Sequence, residues 1–204
     1  MDAGVVAVNM EHLIPAGALG PEPVQFEVRA YLVPHDTGLV LVDTGMDPTG
    51  RDLDAALARS GASWSDVSHL VITHAHPDHI GAVGHVRRAA PGAHVLAHPL
   101  EAIADTAPVV EGDVMGPLRA LGTPGHTAGH LSLIDDSTGV LLVGDALGSM
   151  NNVLVRAPEQ FTTDTEQAEQ SLHRLLSVRG TRMLFAHGDE LNQPWEALDA
   201  LLAK

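Results

Sequence analysis

The stretch Thr73-His74-Ala75-His76-Pro77-Asp78-His79 restricts this chain more than any other, and the β-branched apolar run Leu70-Val71-Ile72 leads directly into it. If that run is a strand, His74 and His76 lie two apart in extended chain, so their side chains point the same way and can grip one ion. Pro77 suits the first position of a helix, which places Asp78 and His79 in an opening turn aimed back at the same corner. Imidazole favours zinc, iron and copper, and an added carboxylate oxygen suits a Lewis-acidic ion that holds water for chemistry. Ordered His and Asp spacing behind an apolar strand therefore reads as a metal site rather than as surface histidines in a polar loop.

The same arrangement recurs along the chain. Leu39-Val40-Leu41-Val42 ends in Asp43-Thr44-Gly45, Val140 to Val143 ends in Gly144-Asp145, and the strand-like Thr181 to Ala186 ends in His187-Gly188-Asp189. Between them lies Gly122-Thr123-Pro124-Gly125-His126-Thr127-Ala128-Gly129-His130, whose glycines let backbone and side chain approach an ion closely. In α/β proteins, sites assemble at the carboxyl ends of strands, so these separate clusters can converge. His74, His76, Asp78, His79, His126, Asp145 and His187 would over-supply one metal, whereas two metals sharing a bridging carboxylate would use them all.

Composition narrows the chemistry further. There is no cysteine, which removes thiolate ligands and disulfides and leaves His and Asp to coordinate. With 204 residues, 45% hydrophobic and only 3% aromatic, the chain reads as a single domain over 1–204 with a core of Val, Leu, Ile and Ala. A formal charge of −15, from 11 basic and 26 acidic residues, would repel a nucleic-acid backbone. No apolar segment reads as a membrane span or export signal, so the expected location is cytoplasmic and the expected partner a small-molecule substrate, with no nucleic acid and no membrane.

The remaining elements follow from periodicity and punctuation. Strands are expected over Val5 to Val8, Val24 to Val33 and His94 to Ala97, with a hairpin of Leu131 to Ile134 and Val140 to Val143. Pro and Gly break Ile14 to Pro23, which reads equally as a flap over a site or as a plain connection, and Asp105 to Pro117 reads as a loop. Helices are expected over Asp52 to Ser60, from Ile80 towards Pro91, after a capping box of Thr163 and Glu166, and from Pro194 to Leu202. Ser149 to Phe161 shows no clear period, and within it Asn151 and Arg156 read as solvated surface residues ahead of the alternative, a contact to an anionic part of a substrate. His85 reads as a helix-surface residue, and His94 and His98 as structural.

His74, His76, Asp78 and His79, followed by His126, Asp145 and His187 in that order, resemble the signature of the metallo-β-lactamase superfamily, with typical flanks Thr-Pro-Gly-His-Thr and Gly-Asp. The resemblance runs from Asp43 to Gly188. It implies a four-layer αββα sandwich with the metals at one edge of the sheets. It further implies that His74, His76 and His126 hold the first metal, that Asp78, His79 and His187 hold the second, and that Asp145 bridges them. The missing cysteine is unlike one group of β-lactamases, and the flavodiiron members usually carry Glu where His76 stands. Glyoxalase II-like thioesterases share the ligands but add a helical region after the last one. The quorum-quenching lactonases place a tyrosine three positions after the bridging Asp, where this chain has Gly148.

The reading that follows is a hydrolase holding two zinc ions per chain, with iron as the alternative metal. A hydroxide shared by the metals would attack an ester, thioester or lactone carbonyl, and Asp78 would carry the proton to the leaving group or act only as a ligand. Asp43 and His130 are expected to support the ligands without touching the metal. Two other readings remain: a mononuclear iron persulfide dioxygenase using mainly His74, His126 and Asp145, and a metal-binding protein without catalysis.

Overall fold

The computed structural model describes residues 4–17 and 20–203. Ala18 and Leu19, within the expected flap or connection, lie outside the described residues, as do Met1, Asp2, Ala3 and Lys204.

Six strands form one sheet in chain order: β1 (Val6–Ile14), β2 (Val24–His35), β3 (Gly38–Val42), β4 (Val67–Ile72), β5 (His94–Ala97) and β6 (Ala107–Pro108). The first three pair antiparallel, and β3 through β6 pair parallel. Parallel neighbours need crossovers, supplied by α1 (Arg51–Ser60) before β4 and by α2 (Pro77–Ile80) with α3 (Val83–Ala89) before β5. The second sheet contains β7 (Val114–Met115), β8 (Leu118–Gly122), β9 (Leu131–Asp135) and β10 (Val140–Leu142). A separate hairpin of β11 (Leu147–Met150) and β12 (Val153–Arg156) follows, and then α4 (Thr165–Leu175). β13 (Arg182–Leu184) closes the second sheet beside β10, and α5 (Pro194–Leu202) ends the described chain.

The alternation of each strand builds the layers, since neighbouring side chains point to opposite faces. Leu41, Leu70 and Ile72 pack outward against Leu53 and Leu57 of α1 and Val83 and Val86 of α3. Val40, Val42 and Val71 point inward and meet Leu118, Leu131, Leu133 and Leu142 of the second sheet. On the far side Ile134, Leu141 and Met183 meet Leu172 and Leu175 of α4 and Trp195 and Leu198 of α5. Helix, sheet, sheet and helix thus stack in the expected αββα order, each interface closed by fully buried aliphatic chains worth about 1.5–3 kcal/mol apiece.

Several expectations are corrected. β1 runs on to Ile14 rather than stopping at Val8, because Met10 is buried and Glu11 to Ile14 stay paired with β2 while their side chains are partly or largely exposed. β2 runs two residues beyond the expected Val33, since Pro34 and His35 still pair with β3. The loop from Asp105 to Pro117 contains the short strands β6 and β7. The aperiodic Ser149 to Phe161 segment contains most of a hairpin, turned by Asn151 (φ 52) and Asn152 (φ 61). Two consecutive left-handed residues make a tight hairpin turn, and Asn accepts that conformation better than most side chains. The cap of α4 is Asp164, which accepts from Gln167 N–H at 2.9 Å, rather than Thr163.

Candidate metal centre

Four strand ends meet at one edge of the sandwich. β3 delivers Asp43, β4 delivers the loop from Thr73 to His79, β10 delivers Asp145 and β13 delivers His187, while the β8–β9 connection brings His126 and His130. All of the residues expected at the site are brought together.

They fall into two groups that share one carboxylate. His74, His76, His126 and Asp145 form the first, and Asp78, His79, Asp145 and His187 the second, with candidate ligand atoms in each group within 4.8 Å of one another. In the first, His76 Nδ1 lies 3.0 Å from His74 Nε2 and 2.9 Å from His126 Nε2. Asp145 Oδ2 is 3.9 Å from His74 Nε2 and 3.5 Å from His126 Nε2. In the second, His187 Nε2 lies 3.2 Å from Asp78 Oδ2 and 3.4 Å from Asp145 Oδ2. His79 Nε2 is 3.6 Å from Asp78 Oδ2 and 3.3 Å from Asp145 Oδ1.

These separations suit a cation better than hydrogen bonds. A tetrahedral cage with bonds of about 2.0–2.1 Å has edges of about 3.3–3.4 Å. His76 Nδ1 carries one lone pair or one proton and cannot satisfy two nitrogens at once. His79 Nε2 and Asp145 Oδ1 are buried and find no hydrogen-bond partner despite facing each other. Buried polar atoms left without partners are costly, and a cation between them removes that cost.

The outer nitrogens of the imidazoles are tied down in ways that aim the inner ones. Asp43, 2% exposed and held at φ 59, accepts from His79 Nδ1 at 2.8 Å. The same carboxylate accepts from Thr73 N–H at 2.8 Å and Thr73 Oγ1 at 2.7 Å. With its proton given to Asp43, Thr73 Oγ1 accepts from His74 Nδ1 at 3.1 Å. Thr162 Oγ1 accepts from His126 Nδ1 at 3.3 Å, and the Glu27 carbonyl accepts from His187 Nδ1 at 2.7 Å. Asp43 thus supports the ligands as expected.

So does His130, through backbone rather than through an imidazole. Its Nε2 accepts Asp145 N–H at 3.0 Å, and its Nδ1 donates to Thr123 Oγ1 at 2.8 Å. Thr123 passes its proton to Ser132 Oγ at 2.9 Å, and Ser132 donates to the Val143 carbonyl at 3.1 Å. That relay needs a neutral ring, and burial pushes His130 down to about 3. Gly144, at φ 57, has to be glycine: a Cβ there would sit 2.8 Å from His130 Nε2.

Protonation differs across the centre. Burial holds His74 well below its ordinary value and lowers His126 to about 4, so both are neutral with lone pairs available. Burial opposes a charged His187 as well, but the hydrogen bond to Asp145 and that carboxylate's charge raise it to about 10. His79 behaves alike, burial being outweighed by Asp145 and Asp43. Burial also works against a charged Asp145, yet the His79 and His187 rings keep it well below the carboxylate range.

Two further groups carry no sequence signal. Arg29, buried on β2, donates to Asn9 Oδ1 at 3.0 Å, to Asp189 Oδ1 at 2.8 Å and to the Gly188 carbonyl, which pins the loop that bears His187. Glu101 joins the two histidine-bearing loops of the first cluster. Arg156 pairs with Glu169 at 2.7 Å and lines a cavity of about 320 Å³ with Pro158 and Thr162, behind His126 on the side of its Nδ1. Asn151 serves the hairpin turn instead of the site, and His85 pairs with Asp54 at 2.9 Å.

Compared with known proteins, the chain matches the family model described as Metallo-beta-lactamase superfamily over residues 24–109 and 104–187. It is 25% identical over 217 residues to the Bacillus subtilis protein YobT, across 89% of this chain and 92% of that protein. It is 34% identical over 153 residues to a hydroxyacylglutathione hydrolase of Vibrio cholerae, across 67% of this chain and 58% of the hydrolase. The matched region therefore falls short of two thirds of that enzyme's length. Among solved structures, TTHA1623 in a di-iron-bound form superposes with a TM-score of 0.71 at 26% identity, covering 92% of this chain and 96% of that one.

Proposed function

We propose, from the premise that this chain belongs to the metallo-β-lactamase superfamily of metal-binding hydrolases, that it is a dinuclear enzyme cleaving an ester, thioester or lactone carbonyl in a small molecule. The observation that carries the reading is the pair of ligand clusters hinged on Asp145. We take residues 1–204 as one functional unit, since each cluster draws on both sheets.

When bound, divalent cations in such a site supply Lewis acidity, lowering the pKa of water and polarising a carbonyl oxygen. The chain's own residues then have distinct tasks. His74, His76 and His126 would present ring nitrogens to the first ion, and Asp78, His79 and His187 would face the second. Asp145 offers Oδ2 to the first group and both oxygens to the second. Asp78 directs Oδ2 into the cluster, and its other oxygen, Oδ1, is the atom proposed to take up a proton and return it to the leaving group.

Zinc is the proposed metal, because imidazole and carboxylate donors at these separations suit a tetrahedral ion. Iron is the alternative, and the di-iron form of TTHA1623 supports including it in any reconstitution. A mononuclear persulfide dioxygenase using His74, His126 and Asp145 would leave the ordered grouping of Asp78, His79 and His187 without a task. No helix among the described residues is long and apolar enough to cross a membrane, and the −15 charge disfavours nucleic acid, so a small-molecule substrate is proposed.

The test is a panel of acyl thioesters, aryl esters and lactones offered to protein reconstituted separately with zinc and iron. Turnover of at least one class, lost in His126→Ala and Asp145→Ala, supports the reading. Inertness toward all classes, or oxygen uptake on a persulfide with one iron per chain, overturns it.

A further inference from the structure

Glu101 closes a short 3₁₀ turn, Pro99–Glu101, directly after β5. It lies in neither ligand cluster, yet its carboxylate spans the two loops that deliver the first cluster. Oε2 accepts Ala75 N–H at 2.7 Å, the peptide between His74 and His76. Oε1 accepts Thr127 Oγ1 at 2.6 Å and Gly129 N–H at 2.8 Å, just beyond His126. These loops hang from different sheets, one from β4 and the other between β8 and β9.

The surroundings are shaped to this contact. A Cβ on Gly129 would sit 2.8 Å from Glu101 Oε1 and 2.6 Å from His98 Nδ1, so only glycine lets the backbone come close enough to donate. His98 Nδ1 in turn accepts Leu100 N–H at 3.2 Å and steadies the turn that carries Glu101. Three short donor contacts, at 2.6–2.8 Å, converge on the two oxygens of one carboxylate, which accepts all of them at once.

We propose that Glu101 is a positioning residue that sets the spacing of His74, His76 and His126 by tying the Ala75 peptide to the Thr127–Gly129 loop. The inference rests on the two-cluster reading above. Its consequence is selective, because His79 is held by Asp43 and His187 by the Glu27 carbonyl and the Arg29-pinned loop, and none of Asp78, His79 and His187 hydrogen-bonds to Glu101 among the described residues. Gln at 101 keeps the size but turns one acceptor into a donor, which must oppose either Ala75 N–H or the Thr127–Gly129 pair.

The experiment separates the clusters by deletion. His187→Ala leaves the first cluster intact and His126→Ala leaves the second. Each is titrated with Co²⁺ by calorimetry and by d–d absorption, with and without Glu101→Gln. The expected result is about tenfold weaker Co²⁺ binding and an altered d–d spectrum when Glu101→Gln joins His187→Ala, the range seen for groups behind a ligand. Binding in the His126→Ala background stays unchanged, and Glu101→Asp recovers part of the loss. Equal weakening in both backgrounds with a lower melting temperature of the ion-free protein would mean a general loss of fold and would overturn the proposal, as would no change in either. If unsubstituted protein takes up only one Co²⁺, the two-cluster reading fails first, an outcome distinct from two ions bound with no effect of Glu101→Gln.

Discussion

The two halves of the centre share Asp145 but are prepared for an ion in opposite ways. In the first, burial drives His74 and His126 toward the neutral form, so the ligands wait as free lone pairs. In the second, burial is outweighed by carboxylates, Asp145 and Asp43 for His79 and Asp145 and Asp78 for His187, which hold protons that an arriving ion must displace. The difference traces to partners: His74 and His126 rest on the hydroxyls of Thr73 and Thr162, whereas His79 rests on a buried carboxylate. One site is shaped chiefly by desolvation and the other by charge, which teaches that a shared ligand does not make the two ions equivalent.

The largest effect is expected from removing what the halves have in common. Asp145→Asn should weaken both ions by more than about 100-fold, beyond the 10–100-fold typical of groups behind a ligand. Equilibrium dialysis with elemental analysis checks this, and loss of only one ion would break the comparison at its hinge.

Asp43→Asn comes next. Asn tolerates the left-handed backbone at position 43, so the fold should survive while the charge behind His79 is lost. The second ion should bind about 10–100-fold more weakly and the first, which Asp43 reaches only through Thr73 and His74, by less, read by competitive chelator titration.

Proton release should sharpen the contrast further. His187, raised to about 10, keeps its proton in the ion-free protein at neutral pH and loses it on coordination. Affinity at the second cluster should therefore climb as pH rises toward about 10. At the first cluster, burial already keeps His74 and His126, the latter at about 4, neutral above roughly pH 5, so these two ligands should add no pH dependence there. Calorimetry in buffers of different ionisation enthalpy distinguishes the two: more protons should leave with the second ion than with the first.

The smallest effect is expected at Thr162→Val. The 3.3 Å contact to His126 Nδ1 is long, so its loss should cost the first ion only about 0.5–1.5 kcal/mol and leave the second alone.

Much of this centre is written in the chain. His74, His76, Asp78 and His79 sit in one short stretch after an apolar strand, and Asp145 and His187 each follow another, so strand periodicity alone carries them to a common edge. The supporting contacts are legible only where they share that pattern. Asp43 and His130 lie beside strand ends or ligands, but Glu101 reaches backbone groups 26 and 28 residues away through a turn with no period of its own. The cap of α4 was ambiguous for a local reason, since Thr163 with Glu166 and Asp164 with Gln167 both fit the capping pattern. The β11–β12 hairpin was hidden because Gly148 and Ser149 interrupt the apolar alternation of its first strand, leaving the Asn151-Asn152 pair without flanks that mark a turn.

The most direct test of the shared-carboxylate centre is anomalous diffraction from crystals grown with zinc. Two peaks per chain are predicted, one in contact with His74, His76 and His126, the other with Asp78, His79 and His187, and Asp145 touching both. A single peak, or an Asp145 carboxylate in contact with only one ion, would contradict it.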